Sequence, residues 1–169
     1  QHGAHVIHCP RSNMKLASGA CPVKKFKDAG VNVALGTDGA ASNNKLNGLA
    51  EMQAASLLAK LESKDPTAMS ARDTIQMATL DGARALGLDH VTGSLEPGKS
   101  ADFIALDFTH LGMEPNHQIE SNLVYANLGS EVTWSWIAGK NVVKNRQLQT
   151  LDSDALHHKA AAWRGKLSP

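Results

Sequence analysis

The chain has 169 residues, of which 42% are hydrophobic and 20% are charged, and its net charge at pH 7 is +1. This length is enough for one domain with a buried core, and the balanced charge gives no reason to expect binding to nucleic acid or to a membrane surface. Two cysteines without paired spacing predict reduced thiols in a cytoplasmic protein, and no apolar run approaches the roughly 18 residues of a membrane-spanning helix.

The N-terminal part of the chain predicts a strand, a helix and a second strand. A short apolar strand ends at His8 and is closed by Pro10. A helix is expected over 23–29 with Gly30 at its end, and the Val- and Leu-rich segment 31–37 predicts a buried strand. Because two strands joined through a helix form a βαβ unit, the strands should be parallel.

Asp38 follows the second strand directly. A lone carboxylate at the C-terminal tip of a strand stands where α/β barrels place their catalytic side chains. Gly36 and Gly39 flank this residue, and we expect these glycines to provide the sharp turn of the backbone. The alternative interpretation is that Asp38 is an ordinary turn or helix-capping acid.

Two further segments predict helices. The first is expected over 46–61, with Asn43 or Asn44 as its N-terminal cap. The second begins at Ser70, which has an aspartate three residues later in a variant of the capping box. Gly82 should divide this second segment into two short helices.

After residue 92 the pattern changes from helices to strands. A strand is expected over 102–107, and the strictly alternating segment 132–137 predicts a β-hairpin together with the turn and the Val pair that follow it. A last helix should cover 153–167. We therefore divide the chain into 1–92 and 93–169.

Three strings, in this order, closely resemble the metal-dependent amidohydrolase superfamily: HCPRSNMKL at 8–16, GTDGAASNN at 36–44 and GSLEPGKSAD at 93–102. They look most like the branch that contains 5-methylthioadenosine/S-adenosylhomocysteine deaminases and triazine chlorohydrolases. The resemblance implies an α/β fold in which 1–92 forms the last strands and helices of a (β/α)8 TIM-type barrel. It also implies that 93–169 forms part of a small β-sandwich with a terminal helix.

The resemblance covers only the C-terminal part of such an enzyme. Members of the superfamily begin with a His-x-His pair on the first barrel strand, and no such pair occurs in this sequence. We therefore expect a fragment, a processed piece or one half of a split enzyme. Its expected partners are the missing N-terminal part or a complementing chain, and the intact enzyme is expected to be a homo-oligomer.

By this resemblance Asp38 is catalytic and holds a divalent metal ion, zinc or alternatively iron. A carboxylate oxygen ligates zinc at about 2.0–2.2 Å, and the acid can also take a proton from water. A catalytic zinc site needs at least three protein ligands, so the remaining ligands are expected outside this chain. His8 is interpreted as a substrate-binding residue of the pocket wall, with a structural loop residue as the alternative.

The function implied by the resemblance is hydrolytic deamination of a purine nucleoside such as methylthioadenosine or S-adenosylhomocysteine. Guanine deamination and hydrolytic dechlorination of triazines are the alternatives within the same superfamily. An alternative of another class is a catalytically silent fragment, or an assembly half that needs a complementing chain. The residues that decide among these functions are expected mostly on strands that this chain lacks.

Overall fold

The computed structural model describes residues 3–126 and 132–167, which form two compact units. The described part of the first unit comprises 3–99 and 108–126, and that of the second comprises 100–107 and 132–167. The division of the chain at residues 92 and 93 stays a prediction.

The first unit contains a two-stranded parallel sheet. Strand β1 (His5–His8) pairs with β2 (Asn32–Leu35), and His8 lies opposite Leu35. Between the strands lie α1 (Pro10–Lys15) and α2 (Val23–Asp28). The predicted parallel pairing of the strands is therefore confirmed, with α2 as the predicted helix and α1 as a helix that the sequence pattern did not predict.

Four more helices of the first unit follow β2, together with a short 3₁₀ turn. The long helix is α3 (Gly48–Ser63), and the others are α4 (Ala71–Ala78), α5 (Leu80–Ala85) and α6 (Ile119–Tyr125). The 3₁₀ turn spans Leu111–Met113. The sequence pattern did not predict α6.

The predicted cap of α3 is wrong. Asn47 is the N-terminal cap, and its side chain accepts hydrogen bonds from the N–H groups of Leu49 and Ala50. Asn43 is buried, and Asn44 is exposed on the loop that precedes α3. The helix consequently begins two residues later than the sequence pattern indicates.

For the next helical segment, the predicted start is confirmed and the predicted division is confirmed in part. Ser70 and Asp73 form a reciprocal capping box at the start of α4, as predicted. The segment does form two helices, but the break is at Thr79, whose backbone has ψ −92°, and Gly82 lies inside α5.

The core of the first unit lies between the sheet and α2, α3 and α4. Its buried side chains come from β2, from these helices and from the residue before the cap of α4: Val23, Val33, Ala59, Met69 and Met77. Val6 and Leu35 pack against this cluster from the two strands. One face of the parallel sheet is thereby covered by helices.

The second unit contains a four-stranded antiparallel sheet with the order β3–β4–β5–β6. Its strands are Phe103–Leu106, Val132–Ile137, Lys140–Lys144 and Gln147–Leu148, and α7 (Ser153–Leu167) follows them. The predicted hairpin is confirmed, with a two-residue turn in which Ala138 and Gly139 have φ of 49° and 75°. In the described part of the chain, no helix is both long enough and apolar enough to cross a lipid bilayer.

An aromatic stack lies on one face of this antiparallel sheet. The ring centroids of Trp134 and Trp136 are 5.6 Å apart, and Trp136 stacks on Phe103 with a centroid distance of 4.5 Å. Both tryptophans are half-buried. They lie on the same face because they are two residues apart in β4.

Candidate active-site carboxylate

The C-terminal ends of β1 and β2 lie side by side, because the strands are parallel and in register. The N–H group of Gly36 donates to the carbonyl oxygen of His8 at 2.9 Å, which continues the pairing beyond β2. A Cβ atom on Gly36 would lie 2.9 Å from Cγ2 of Ile7 and 3.1 Å from Sγ of Cys9. Glycine therefore allows the close approach of the two strand ends that precedes Asp38.

Asp38 itself has a left-handed backbone conformation in the turn after β2. Its φ is 61°, in the left-handed region, whereas Gly36 and Gly39 are not among the residues with positive φ. The left-handed residue of this turn is therefore Asp38 and neither of the flanking glycines. Aspartate tolerates this conformation better than most residues, but surrounding contacts must hold it there.

Two hydroxyl groups hold the carboxylate of Asp38. Ser12, on the helix after β1, donates to Oδ2 at 2.7 Å, and Ser42, on the loop after β2, donates to the same oxygen at 2.6 Å. Sequence reasoning did not assign a role to either serine. The available signal was that each lies inside one of the strings that resemble the superfamily.

These contacts keep Asp38 ionised at neutral pH. The hydroxyl of Ser42, then that of Ser12 and then the N–H group of Gly39 lower the pKa of Asp38 below its ordinary value of 3.8. The carboxylate does not cap α3, since Asn47 does so. In the described chain Asp38 is exposed, so its charge is open to a ligand.

His8 lies at the end of β1 but is buried, with 1% of its surface exposed. Burial lowers the pKa of its imidazole from 6.5 to about 4, so the ring is neutral at physiological pH. Among the described residues neither ring nitrogen has a hydrogen-bond partner. Because side chains alternate along a strand, His8 shares the helix-covered face with Val6. Its assignment to the substrate pocket stays a prediction.

A cavity of about 520 Å³ lies between α1 and the loop after Asp38. Ser42 belongs to its wall, and three cationic residues also line it: Arg11, Lys15 and Lys45. The ammonium group of Lys15 donates to Oδ1 of Asn44 at 2.7 Å and to the carbonyl oxygen of Ala41 at 2.9 Å. Lys15 thus ties α1 to the loop that carries Ser42.

The structure brings one predicted metal ligand to the strand ends. Within residues 3–126 and 132–167, no three His, Cys, Asp or Glu side chains come close enough together to hold a metal ion. Asp38 has the donor chemistry of a zinc ligand, being an ionised carboxylate with fixed orientation. The two serine donors both lie on Oδ2, so neither occupies Oδ1.

Comparison with known proteins identifies close relatives of this chain. Residues 1–142 match the model of the amidohydrolase family. A 5-methylthioadenosine/S-adenosylhomocysteine deaminase from Teredinibacter turnerae is 54% identical over 165 residues, which cover 98% of this chain and 37% of the relative. The chain thus spans little more than a third of that relative's length.

Solved structures of similar proteins also match nearly the whole of this chain and little more than a third of their own length. A zinc-bound adenosine deaminase from Xanthomonas campestris superposes with a TM-score of 0.94 at 46% identity, over 96% of this chain and 37% of the other. An atrazine chlorohydrolase from Arthrobacter aurescens, complexed with zinc, gives a TM-score of 0.88 at 25% identity. That match covers 95% of this chain and 36% of the chlorohydrolase.

Proposed function

The chain belongs to the amidohydrolase family, and we propose that it forms the Asp38-bearing part of a metal-dependent hydrolase that deaminates methylthioadenosine or S-adenosylhomocysteine. The observation that carries this proposal is the carboxylate of Asp38, which is ionised and is held between two parallel strand ends by hydroxyls of Ser12 and Ser42. In this proposal 1–92 contributes the last strands and helices of a (β/α)8 barrel, and 93–169 contributes part of a β-sandwich.

The proposed cofactor is a divalent metal ion, with zinc favoured over iron because two similar solved structures hold zinc. Asp38 would be its ligand from this chain, since the described residues contain no cluster of three or more ligating side chains. The other ligands would come from protein residues outside this sequence. When bound, zinc supplies a Lewis-acid charge that makes water nucleophilic near neutral pH.

The residues of this chain would contribute orientation and proton transfer. Ser12 and Ser42 fix Oδ2 of Asp38, so that the carboxylate presents its other oxygen in one direction. Asp38 is ionised at neutral pH and so accepts a proton from the attacking water. The oxygen of that water would replace the amino group on the purine ring, and the proton taken up by Asp38 would pass to the amino group, which leaves as ammonia.

The identity of the relatives favours the deaminase over the chlorohydrolase. The chain is 54% identical to a curated relative named for methylthioadenosine and S-adenosylhomocysteine deamination, and 25% identical to the atrazine chlorohydrolase. The small-molecule substrate is therefore proposed to be a purine nucleoside. A cytoplasmic location and a homo-oligomeric intact enzyme belong to the same proposal.

The test uses the complete protein encoded by the gene that carries these residues, purified with zinc. Methylthioadenosine, S-adenosylhomocysteine, guanine and atrazine are each supplied, and release of ammonia or chloride is measured. Ammonia from either adenosine derivative, lost in Asp38→Asn but kept in the matched surface variant Asp28→Asn, is the expected result. Release only from guanine or atrazine overturns the substrate assignment, and no release from any compound supports the catalytically silent alternative.

A further inference from the structure

Glu51 is a buried carboxylate that the proposed chemistry does not use. It lies in the first turn of α3 and has no exposed surface. Burying a carboxylate is costly unless hydrogen bonds replace its water shell. The contacts of Glu51 therefore decide what this residue does in the fold.

One arm of the Glu51 contacts reaches the first turn of α1, the helix after β1. Oε2 accepts a hydrogen bond from the backbone N–H of Arg11 at 3.2 Å, and the guanidinium Nε of Arg11 lies 3.6 Å from Oε1. Arg11 directly precedes Ser12, which donates to Asp38. Glu51 thus holds the backbone that places the first hydroxyl donor.

The other arm reaches the loop after β2. Oε1 accepts a hydrogen bond from Nδ2 of Asn43 at 2.6 Å. The same amide group donates to the carbonyl oxygen of Thr37 at 2.9 Å. Asn43 directly follows Ser42, the second donor, and Thr37 directly precedes Asp38. This arm therefore fixes the loop on both sides of the carboxylate.

We propose that Glu51 is a positioning residue that holds α1 and the loop after β2, which carry Ser12 and Ser42, and so orients Asp38 for its metal ion. The inference rests on the function proposed above and adds the group that acts through Ser12 and Ser42 rather than on substrate. The backbone of Asp38 has a left-handed conformation, which persists only where surrounding contacts hold it. The contacts of Glu51 on both sides of Asp38, called the clamp below, are of this kind. Buried partners behind metal ligands commonly set the orientation of those ligands.

A purely structural role is the competing explanation. An acid in the first turn of a helix interacts favourably with the helix dipole, and its loss would lower stability wherever the helix packs. Such a role would not change how α1 and the loop after β2 are held relative to each other. The two explanations therefore differ in the behaviour of residues 9–13 and 36–44.

The experiment compares Glu51→Gln with Glu62→Gln in the complete protein encoded by the gene. Both residues lie on α3, but Glu62 makes none of the described contacts with α1 or with the loop after β2. For each variant, kcat and KM for methylthioadenosine, the affinity for zinc and amide hydrogen exchange of 9–13 and 36–44 are measured. Asn43→Ala removes only one arm and serves if Glu51→Gln does not fold.

For Glu51→Gln we expect kcat and zinc affinity to fall roughly 10–100-fold, with KM nearly unchanged. Exchange should become faster in both segments, 9–13 and 36–44, and Glu62→Gln should behave like the unmodified protein. Faster exchange without an active parent enzyme would support the clamp while refuting the proposed function. Unchanged exchange and unchanged kcat, or an equal loss in Glu62→Gln, would overturn the inference.

Discussion

The hydroxyl of Ser12 lies 2.7 Å from Oδ2 of Asp38, although the two residues are 26 positions apart and follow different strands. The contact exists because β1 and β2 are parallel and in register, with His8 opposite Leu35. It makes the orientation of Asp38 depend on the pairing of two strands. Each end of this hydrogen bond can be tested separately.

Replacement of Ser12 should weaken catalysis by the complete enzyme. Ser12→Ala removes one of two hydroxyls on Oδ2, and we expect kcat/KM and zinc affinity to fall roughly tenfold or more. Ser18→Ala, which changes an exposed serine after the same helix, is the matched control. Steady-state kinetics with metal titration measure both effects, and equal values for the two variants would show that Ser12 does not orient the carboxylate.

Addition of a methyl group at Gly36 should destabilise the first unit. The new Cβ would lie 2.9 Å from Cγ2 of Ile7, so one strand end must shift. Overpacking of this kind costs about 1–3 kcal/mol in the free energy of unfolding. Gly48→Ala is the control, because a Cβ there meets nothing within 4 Å. Urea unfolding of both variants measures the difference, and a neutral Gly36→Ala would contradict the steric explanation.

Replacement of the asparagine that caps α3 should lower the free energy of unfolding more than replacement of an asparagine that does not cap it. Asn47→Ala removes an acceptor for two backbone N–H groups, and we expect a loss of about 1 kcal/mol. Asn44→Ala removes only an exposed contact with Lys15 and should cost less than about 0.5 kcal/mol. Thermal unfolding of the two variants checks the order. A larger loss for Asn44→Ala than for Asn47→Ala would contradict the cap at Asn47 and support a cap at Asn44.

The stability of the first unit should depend on pH through His8. Burial lowers the pKa of this imidazole from 6.5 to about 4, so the unfolded chain binds one more proton than the folded chain between these values. The free energy of unfolding should therefore fall as the pH is lowered from 6.5 towards 4, by up to about 1.4 kcal/mol per pH unit from this residue.

Urea unfolding at several pH values measures this dependence. His8→Gln should remove the His8 contribution to the slope, whereas His90→Gln, at an exposed position, should leave it in place. An identical slope in His8→Gln and the parent chain would show that His8 is not held neutral by burial. The comparison uses slopes, so a general loss of stability in either variant does not affect it.

Local patterns predicted the elements well wherever neighbouring residues alone determine them. The Val-rich strand before Asp38, the capping box of Ser70 and the hairpin at Ala138 and Gly139 all depend on short sequence spacing. The parallel pairing of β1 with β2 followed from the helix that the sequence predicts between them. These features needed no knowledge of distant contacts.

The wrong cap and the features that the sequence did not predict both occur where distant residues decide the local structure. Asn43, Asn44 and Asn47 are all chemically able to cap α3, and Asn43 is instead engaged by the buried Glu51. The left-handed turn falls on Asp38 because two serines hold its carboxylate there. The sequence shows these serines and Glu51, but only the register of the strands brings them to the same place.

The aromatic stack on β4 gives the second unit an optical signal of its own. All three tryptophans of the chain, Trp134, Trp136 and Trp163, belong to that unit, while the single tyrosine, Tyr125, belongs to the first. Fluorescence excited selectively at the tryptophan band therefore follows melting of the antiparallel sheet and its terminal helix. The helices of the first unit contain no tryptophan, so their unfolding would not change this fluorescence and would have to be followed by circular dichroism.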